Sequence, residues 1–220
     1  NQCDASCISD TVFRVGGYGF LDYEKIISLQ PSELYMLKGF SSSEQIKRLN
    51  ELKIPIHFFK DSSLQDVLNI PIQIDSIKGK SLNDDLLKRL KVLMENKVTD
   101  SPTYLTFITN EPIQVYGDYN YLSELFSQLG FVNKTKELNG KYPIVQSEYF
   151  ISNLPDVIIT SDTIMTKSIL KHKFGDVLLN HELDKVMYLQ IHQNQLSRSG
   201  PDILKNGECL LRSWKNWSKK

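Results

Sequence analysis

Apolar positions in this chain recur with helical spacing in some stretches and run unbroken in others, and the two kinds of stretch alternate. The clearest case occurs twice. Tyr23-Glu24-Lys25-Ile26-Ile27-Ser28-Leu29-Gln30-Pro31 leads into Leu34-Tyr35-Met36-Leu37, and Ser147-Glu148-Tyr149-Phe150-Ile151-Ser152-Asn153-Leu154-Pro155 leads into Val157-Ile158-Ile159. Each predicts a short amphipathic helix that ends near its proline, which disfavours helical backbone in the residue before it, and then a buried strand. In both copies a glutamate stands seven residues before the proline, and the copies lie 124 residues apart (148 − 24). Helix–turn–strand units are common in α/β proteins. The shared Glu–Pro offset is what marks these two as a repeat, and a repeat predicts two similar lobes.

The remaining pattern fits the same α/β rhythm. Residues 44–52 predict a helix with Ile46, Leu49 and Leu52 on one face, and residues 54–59 a strand. Residues 62–77 read as a helix that Pro71 should kink or split. Ser81 is placed to cap a helix running to about Lys97, with Leu82, Leu86, Leu87, Leu90, Leu93 and Met94 as its apolar stripe. Lying between the repeat copies, this helix is the candidate connector, which gives an N-terminal lobe at 1–80, a backbone helix at 81–98 and a C-terminal lobe at 99–220. In that second lobe residues 104–109 predict a strand, and a polar, aromatic loop runs through Pro112 to Tyr119. Residues 121–129 predict a helix stopped by Gly130. A helix at 163–172, a strand at 185–191, a loop at 192–200 and a last helix opened by Pro201 complete the chain.

Composition narrows the function classes. Hydrophobic residues make up 40% and charged residues 24% of 220, an ordinary globular balance. The formal net charge is zero, so no global basic field favours nucleic acid. No apolar run approaches the roughly 18 residues that cross a bilayer. The chain begins at Asn1, which reads as a mature or trimmed product that says nothing of its destination. Cys3, Cys7 and Cys209 make no disulfide framework; a Cys3–Cys7 bridge is conceivable, and free thiols are the plainer reading.

No catalytic constellation stands out. His181-Glu182 resembles the start of a zinc HExxH site, but Lys185 occupies the place of the second histidine. His57, His172, His181 and His192 are scattered, one to an element, and no Cys/His cluster has structural-zinc spacing. Gly16-Gly17-Tyr18-Gly19-Phe20 lacks the strand–GxGxxG–helix setting of a nucleotide loop. What remains is a set of loops at the C-terminal ends of strands, where open α/β sheets bind ligands. They carry Tyr18, Phe20, Tyr116, Tyr119 and Arg198, a set suited to a large, partly flat, partly polar ligand.

The paired Glu–Pro units, the single mid-chain helix and the Arg198-Ser199-Gly200-Pro201 sequence together resemble the periplasmic substrate-binding proteins of ABC importers, in the helical-backbone class that carries cobalamin, iron-siderophores or haem. The resemblance runs from about Cys3 to Trp214. Val15-Gly16-Gly17-Tyr18 and Pro112-Ile113-Gln114-Val115-Tyr116-Gly117 look most like the cobalamin-binding member.

It implies an α/β fold of two Rossmann-like lobes with mostly parallel sheets, joined by one long helix, and a ligand cleft between them. Tyr18 falls where the family often has a cleft tryptophan, with Phe20, Tyr116 and Arg198 as further ligand-binding residues. Glu24 and Glu148 fall at the lobe-top glutamates that meet arginines of the permease subunits; a plainer role for both is to serve the helix dipole. The resemblance implies no catalysis, no resident cofactor or metal, and a monomer in the periplasm or lipid-anchored at the outer face of the inner membrane. The transported ligand would be cobalamin, or alternatively a ferric siderophore or haem.

There are departures. The strand and helix that the family places before the segment matching Cys3 have no counterpart, so a truncated first lobe is expected. Asp202 replaces the usual second arginine, and Leu129 stands where some relatives place a disulfide partner for a cysteine like Cys209, which implies an unpaired Cys209. Two rivals stay open from the residues: a small-molecule enzyme using Glu24 or Glu148 as general base, and a degenerate relative that binds nothing and serves as an interaction domain.

Overall fold

The structure is a computed structural model that describes residues 13–17, 20–38, 42–78, 84–161, 167–174, 180–197, 199–200 and 202–219. It divides into two compact units, Asn1–Asp61 and Ser62–Lys220. The expected capping residue Ser81, Tyr18, Arg198, Cys3, Cys7 and the opening Pro201 lie outside the described residues.

In the first unit, β1 (Gly16–Gly17) and β2 (Phe20–Leu21) pair antiparallel. Helix α1 (Tyr23–Leu29) follows at once, because the Asp22 carboxylate accepts the Lys25 N–H at 2.9 Å and caps its first turn. It ends at Gln30, whose left-handed backbone (φ 45°) reverses the chain just ahead of Pro31. Strand β3 (Leu34–Leu37), helix α2 (Ser43–Glu51) and strand β4 (Ile56–Phe59) form a β–α–β unit, with β3 and β4 parallel from Leu34↔Ile56 to Leu37↔Phe59. A reciprocal Ser42–Gln45 capping box starts α2, and Leu49 is fully buried beneath it.

The second unit opens with α3 (Leu64–Lys78), which runs unbroken through Pro71. The expected split does not occur. Leu64, Val67 and Leu68 are buried in the unit's core, and the Leu64 N–H donates to Glu124 Oε2 at 2.7 Å. That anchoring outweighs the one backbone hydrogen bond the proline ring removes. It also explains why the units divide at Asp61/Ser62 and not at the expected 80/81. Helix α4 (Asp84–Glu95), the expected connector, likewise packs Leu86, Leu90, Leu93 and Met94 on this core, while Leu87 points to solvent.

Strand β5 (Thr103–Asn110) is the centre of a five-stranded sheet. One edge pairs parallel with β8 (Val157–Thr160), which pairs parallel with β9 (Met187–Gln190). The other edge is shared between two short strands. Strand β6 (Ile113–Val115) returns antiparallel on Phe107–Asn110, and β7 (Val132–Asn133) lies parallel to Thr103–Tyr104. The sequence expectation of loop at 113–115 is thus corrected; Ile113 and Val115 are buried with Gln114 outward, a strand alternation too short to stand out. Helix α5 (Tyr121–Gln128) lies between β6 and β7. The second repeat copy becomes α6 (Ser147–Ser152) running into β8, as α1 runs into β3. Helices α7 (Lys167–Phe174), α8 (Asn180–Asp184), α9 (Gln193–Ser197) and α10 (Ile203–Trp217) complete the unit, with α9 inside the stretch expected as loop.

Strand alternation divides the core between the two faces of the sheet. Tyr104, Val157, Ile159, Met187 and Leu189 cluster with residues of α3, α4, α5 and α10. Leu105, Phe107 and Ile158 cluster with Phe150 of α6, Leu170 and Phe174 of α7 and Leu183 of α8. Helices cover both faces, as a mostly parallel sheet requires. Cys209 is a free thiol packed beside the first cluster. Gly130 closes α5 at φ 94°, where an added Cβ would run into the Val98 carbonyl oxygen. Gly130→Ala is predicted to lower unfolding free energy by about 2 kcal/mol or more. Urea titration checks it; an unchanged midpoint would contradict the packing described.

Candidate functional site

Each unit presents its own candidate surface. In the first, Phe20 is 61% exposed and borders an open cleft of about 350 Å³ that is also lined by Leu21, Tyr23, Ser42, Gln45 and Arg48. The Arg48 guanidinium sits 5.8 Å from the centre of the Tyr23 ring and is held by Glu44 at 2.8 Å. Aromatic faces and polar groups therefore border one open concavity.

In the second unit the expected Tyr116 is only 8% exposed. Its N–H donates to Thr106 O at 2.9 Å, beside the middle of β5, because β6 reverses the chain along that edge. Tyr116 therefore follows the C-terminal end of β6, which, being antiparallel, lies away from the C-terminal end of β5. Its hydroxyl donates to Leu196 O at 3.3 Å, and burial raises its pKa well above the usual tyrosine range, so it stays a neutral donor. Two other tyrosines are outward: Tyr119, 62% exposed, and Tyr142, 50% exposed. Tyr142 meets the edge of the Tyr116 ring at 5.5 Å between centroids. Sequence reading passes over Tyr142; the available signal is an aromatic residue between Gly140-Lys141 and Pro143.

A buried polar network fixes this wall. Asn120 Oδ1 accepts the N–H groups of Leu122 and Ser123, both at 3.0 Å, and its Nδ2 donates to Gly117 O at 2.6 Å. The Ser123 hydroxyl donates to the same Gly117 oxygen at 2.6 Å. Asn133 Nδ2 and the Thr135 hydroxyl donate to Tyr116 O at 3.2 and 3.0 Å. On the outer side, the segment at 141–145 continues the sheet, with Gly117 N–H on Lys141 O at 2.8 Å and Val115 N–H on Pro143 O at 3.1 Å. A Cβ at Gly117 would strike the Gly140 carbonyl oxygen, so glycine is required for that approach. The loop bearing Tyr119 and the segment bearing Tyr142 are thus held before any ligand arrives.

Glu24 and Glu148 occupy equivalent positions in the first turns of α1 and α6, and both are exposed. Among the described residues neither makes an ion pair. No group of three or more His, Cys, Asp or Glu side chains among the described residues is placed to hold a metal ion. His57 contacts Glu33 at 3.1 Å and stacks on Tyr35, as a packed, partnered histidine.

A family model described as periplasmic binding protein matches residues 3–183. The chain belongs to the periplasmic binding protein family. Among its relatives in that family, the vitamin B12-binding protein of Vibrio parahaemolyticus is 26% identical over 159 residues, which is 70% of this chain and 58% of that protein. That of Vibrio campbellii is 24% identical over the same shares. The chain thus spans a little under three-fifths of the length of these relatives. The periplasmic vitamin B12 binding protein of Vibrio cholerae has the same fold, with a TM-score of 0.76 and 22% identity over 94% of this chain and 83% of that one. So does a periplasmic haem-binding protein from Roseiflexus sp. RS-1, with a TM-score of 0.77 and 14% identity over 96% and 85%. Among the described residues of this family member, no helix is long and apolar enough to cross a membrane.

If the Asn120 network sets the wall, Asn120→Ala should cost about 1–3 kcal/mol, because it uncaps α5 and leaves buried backbone groups unpaired. Chemical denaturation measures this, and a loss below about 0.5 kcal/mol would show that the network is dispensable.

Proposed function

We propose that this chain is the substrate-binding component of an ABC importer, which captures cobalamin and passes it to the membrane permease. The observation that carries the reading is the match to the vitamin B12-binding protein of Vibrio parahaemolyticus over 159 residues. The surfaces support it. A corrin ring is broad, flat across its middle and rimmed with amides. Each unit offers exposed flat faces of the kind such a ring can stack on, Phe20 in the first and Tyr119 and Tyr142 in the second. Tyr18 and Arg198 would add to this set, and Tyr116 would act by holding Tyr142 in place.

The permease would be met at Glu24 and Glu148. Exposed carboxylates at matching places in two units suit a two-point electrostatic contact that steers docking. The same exposure, with no acid–base partner beside either group among the described residues, favours carriage over general-base catalysis. The working place would be the periplasm, free or lipid-held at the outer face of the inner membrane, as a monomer without nucleic acid and with no resident cofactor. A second reading keeps the fold and changes the cargo to haem or a ferric siderophore; the likeness to the haem-binding protein from Roseiflexus favours it.

Calorimetric titration with cyanocobalamin, haemin and a ferric hydroxamate separates these readings. The expected result is a cyanocobalamin Kd below about 1 µM, or about −8 kcal/mol, with the other two far weaker. Preference for haemin would transfer the assignment to the second reading, and no binding to any of the three would refute both. Phe20→Ala and Tyr142→Ala should each weaken cyanocobalamin by about 5- to 30-fold, the usual range for one buried aromatic anchor. Replacing Glu24 and Glu148 together by alanine should leave that titration unchanged while lowering stimulation of the reconstituted permease's ATPase activity. Equal stimulation would remove the docking role.

A further inference from the structure

Helices α4 and α10 run side by side in the same direction. Arg89 donates through Nε and Nη2 to Glu208 Oε1 at 3.1 and 2.8 Å, and seven residues further along each helix Lys215 Nζ donates to Asn96 Oδ1 at 3.2 Å. These two contacts define a seam. Near it in the chain are Lys88, next to Arg89, and Lys97, two residues past the end of α4, with Arg212 and Lys215 three apart on α10 and Lys219 two residues past its end. All five are exposed. Among the described residues Lys88, Lys97, Arg212 and Lys219 have no carboxylate partner, and the partner of Lys215 is an uncharged amide.

The nearby acids do not cancel this charge. Glu208 is taken by Arg89, while Asp100, which accepts the neutral Trp214 indole N–H at 3.3 Å, keeps its charge and offsets one cation. Glu95 is a further exposed carboxylate on α4, and Asp84 and Asp85 open the same helix, so the cations are in excess without being the sole charges here. The chain as a whole carries 26 basic and 26 acidic side chains, so this excess is a local asymmetry. One turn from both Arg89 and Asn96, α4 also exposes a large apolar side chain, Val92 (56%).

We infer that the α4–α10 seam is a docking surface for an anionic phospholipid headgroup plane. Charge complementarity sets the sign of the partner. Its form follows from the presentation: long, mobile cations on two convex helix faces offer no directional pocket to a shaped acidic partner, but they can each meet a phosphate on a plane. Exposed Val92 beside them suits the boundary of headgroup and acyl chain. Contact of this kind is reversible and weakens with salt. It goes beyond the permease contact proposed for Glu24 and Glu148, and it does not depend on which ligand the protein carries.

Co-sedimentation of the full chain with vesicles tests it. Binding is expected to vesicles containing about one-third phosphatidylglycerol, absent from pure phosphatidylcholine, and lost at high salt. Replacing Arg212, Lys215 and Lys219 together by glutamate should weaken binding by about tenfold or more. Lys47→Glu, Lys60→Glu and Lys136→Glu combined, with the same change in net charge, should weaken it much less. Circular dichroism confirms that each variant is folded, and a glutamine triple variant replaces the first if it is not. Equal binding to both vesicle types, no binding to either, equal losses in the two triple variants, or retention on heparin without vesicle binding would each overturn the inference.

Discussion

A strand has two edges, and β5 uses both. Parallel pairing with β8 fills one edge, while β6 and β7 divide the other between its two ends. Because β6 is antiparallel, the chain leaving it is carried back along β5 and must bury polar backbone at Tyr116 and Gly117 before α5 can begin. Buried carbonyls need partners. Asn120, Ser123, Asn133 and Thr135 provide them, each within 3.2 Å of the carbonyl it serves. The wall that carries Tyr119 and Tyr142 is rigid as a consequence of this sheet topology. A preformed wall lowers the entropy lost when a ligand is captured.

The repeated helix–proline–strand unit carries the other half of the account. Its short helices are too brief to be stable alone, and each is secured by one buried anchor, Ile26 in α1 and Phe150 in α6. That leaves the opposite side of each helix free for solvent, and with it Glu24 and Glu148. Side chains with general-base chemistry would need a shielded setting; these two have the reverse.

How far the sequence discloses this depends on segment length and on what each residue packs against. The two repeat units, α2, α5 with its Gly130 stop, and β4 are legible because their apolar period, caps or stop signals act locally. Strand β6 is not, since three residues give one alternation, and its identity comes from pairing with β5. The unit boundary is hidden for a similar reason: the apolar side of α3 shows that the helix needs a core without showing which one. Tyr116 and Tyr142 differ in exposure for a tertiary cause. Both are tyrosines in loops near glycine, and only the reversal after β6 decides that the first is buried and the second presented. The α4–α10 seam escapes a linear reading because its cations come from segments more than 110 residues apart, as the 119-residue separation of Asn96 and Lys215 shows.

The rigid wall is the central claim, and amide hydrogen exchange at Leu122, Ser123 and Thr135 tests it most directly, because these N–H groups are held by the Asn120 and Asn133 side chains. Slow exchange in the ligand-free protein, little altered by saturating cyanocobalamin, is the predicted result. Fast exchange that becomes slow only when ligand is added would mean that the wall forms on binding, and would contradict the account.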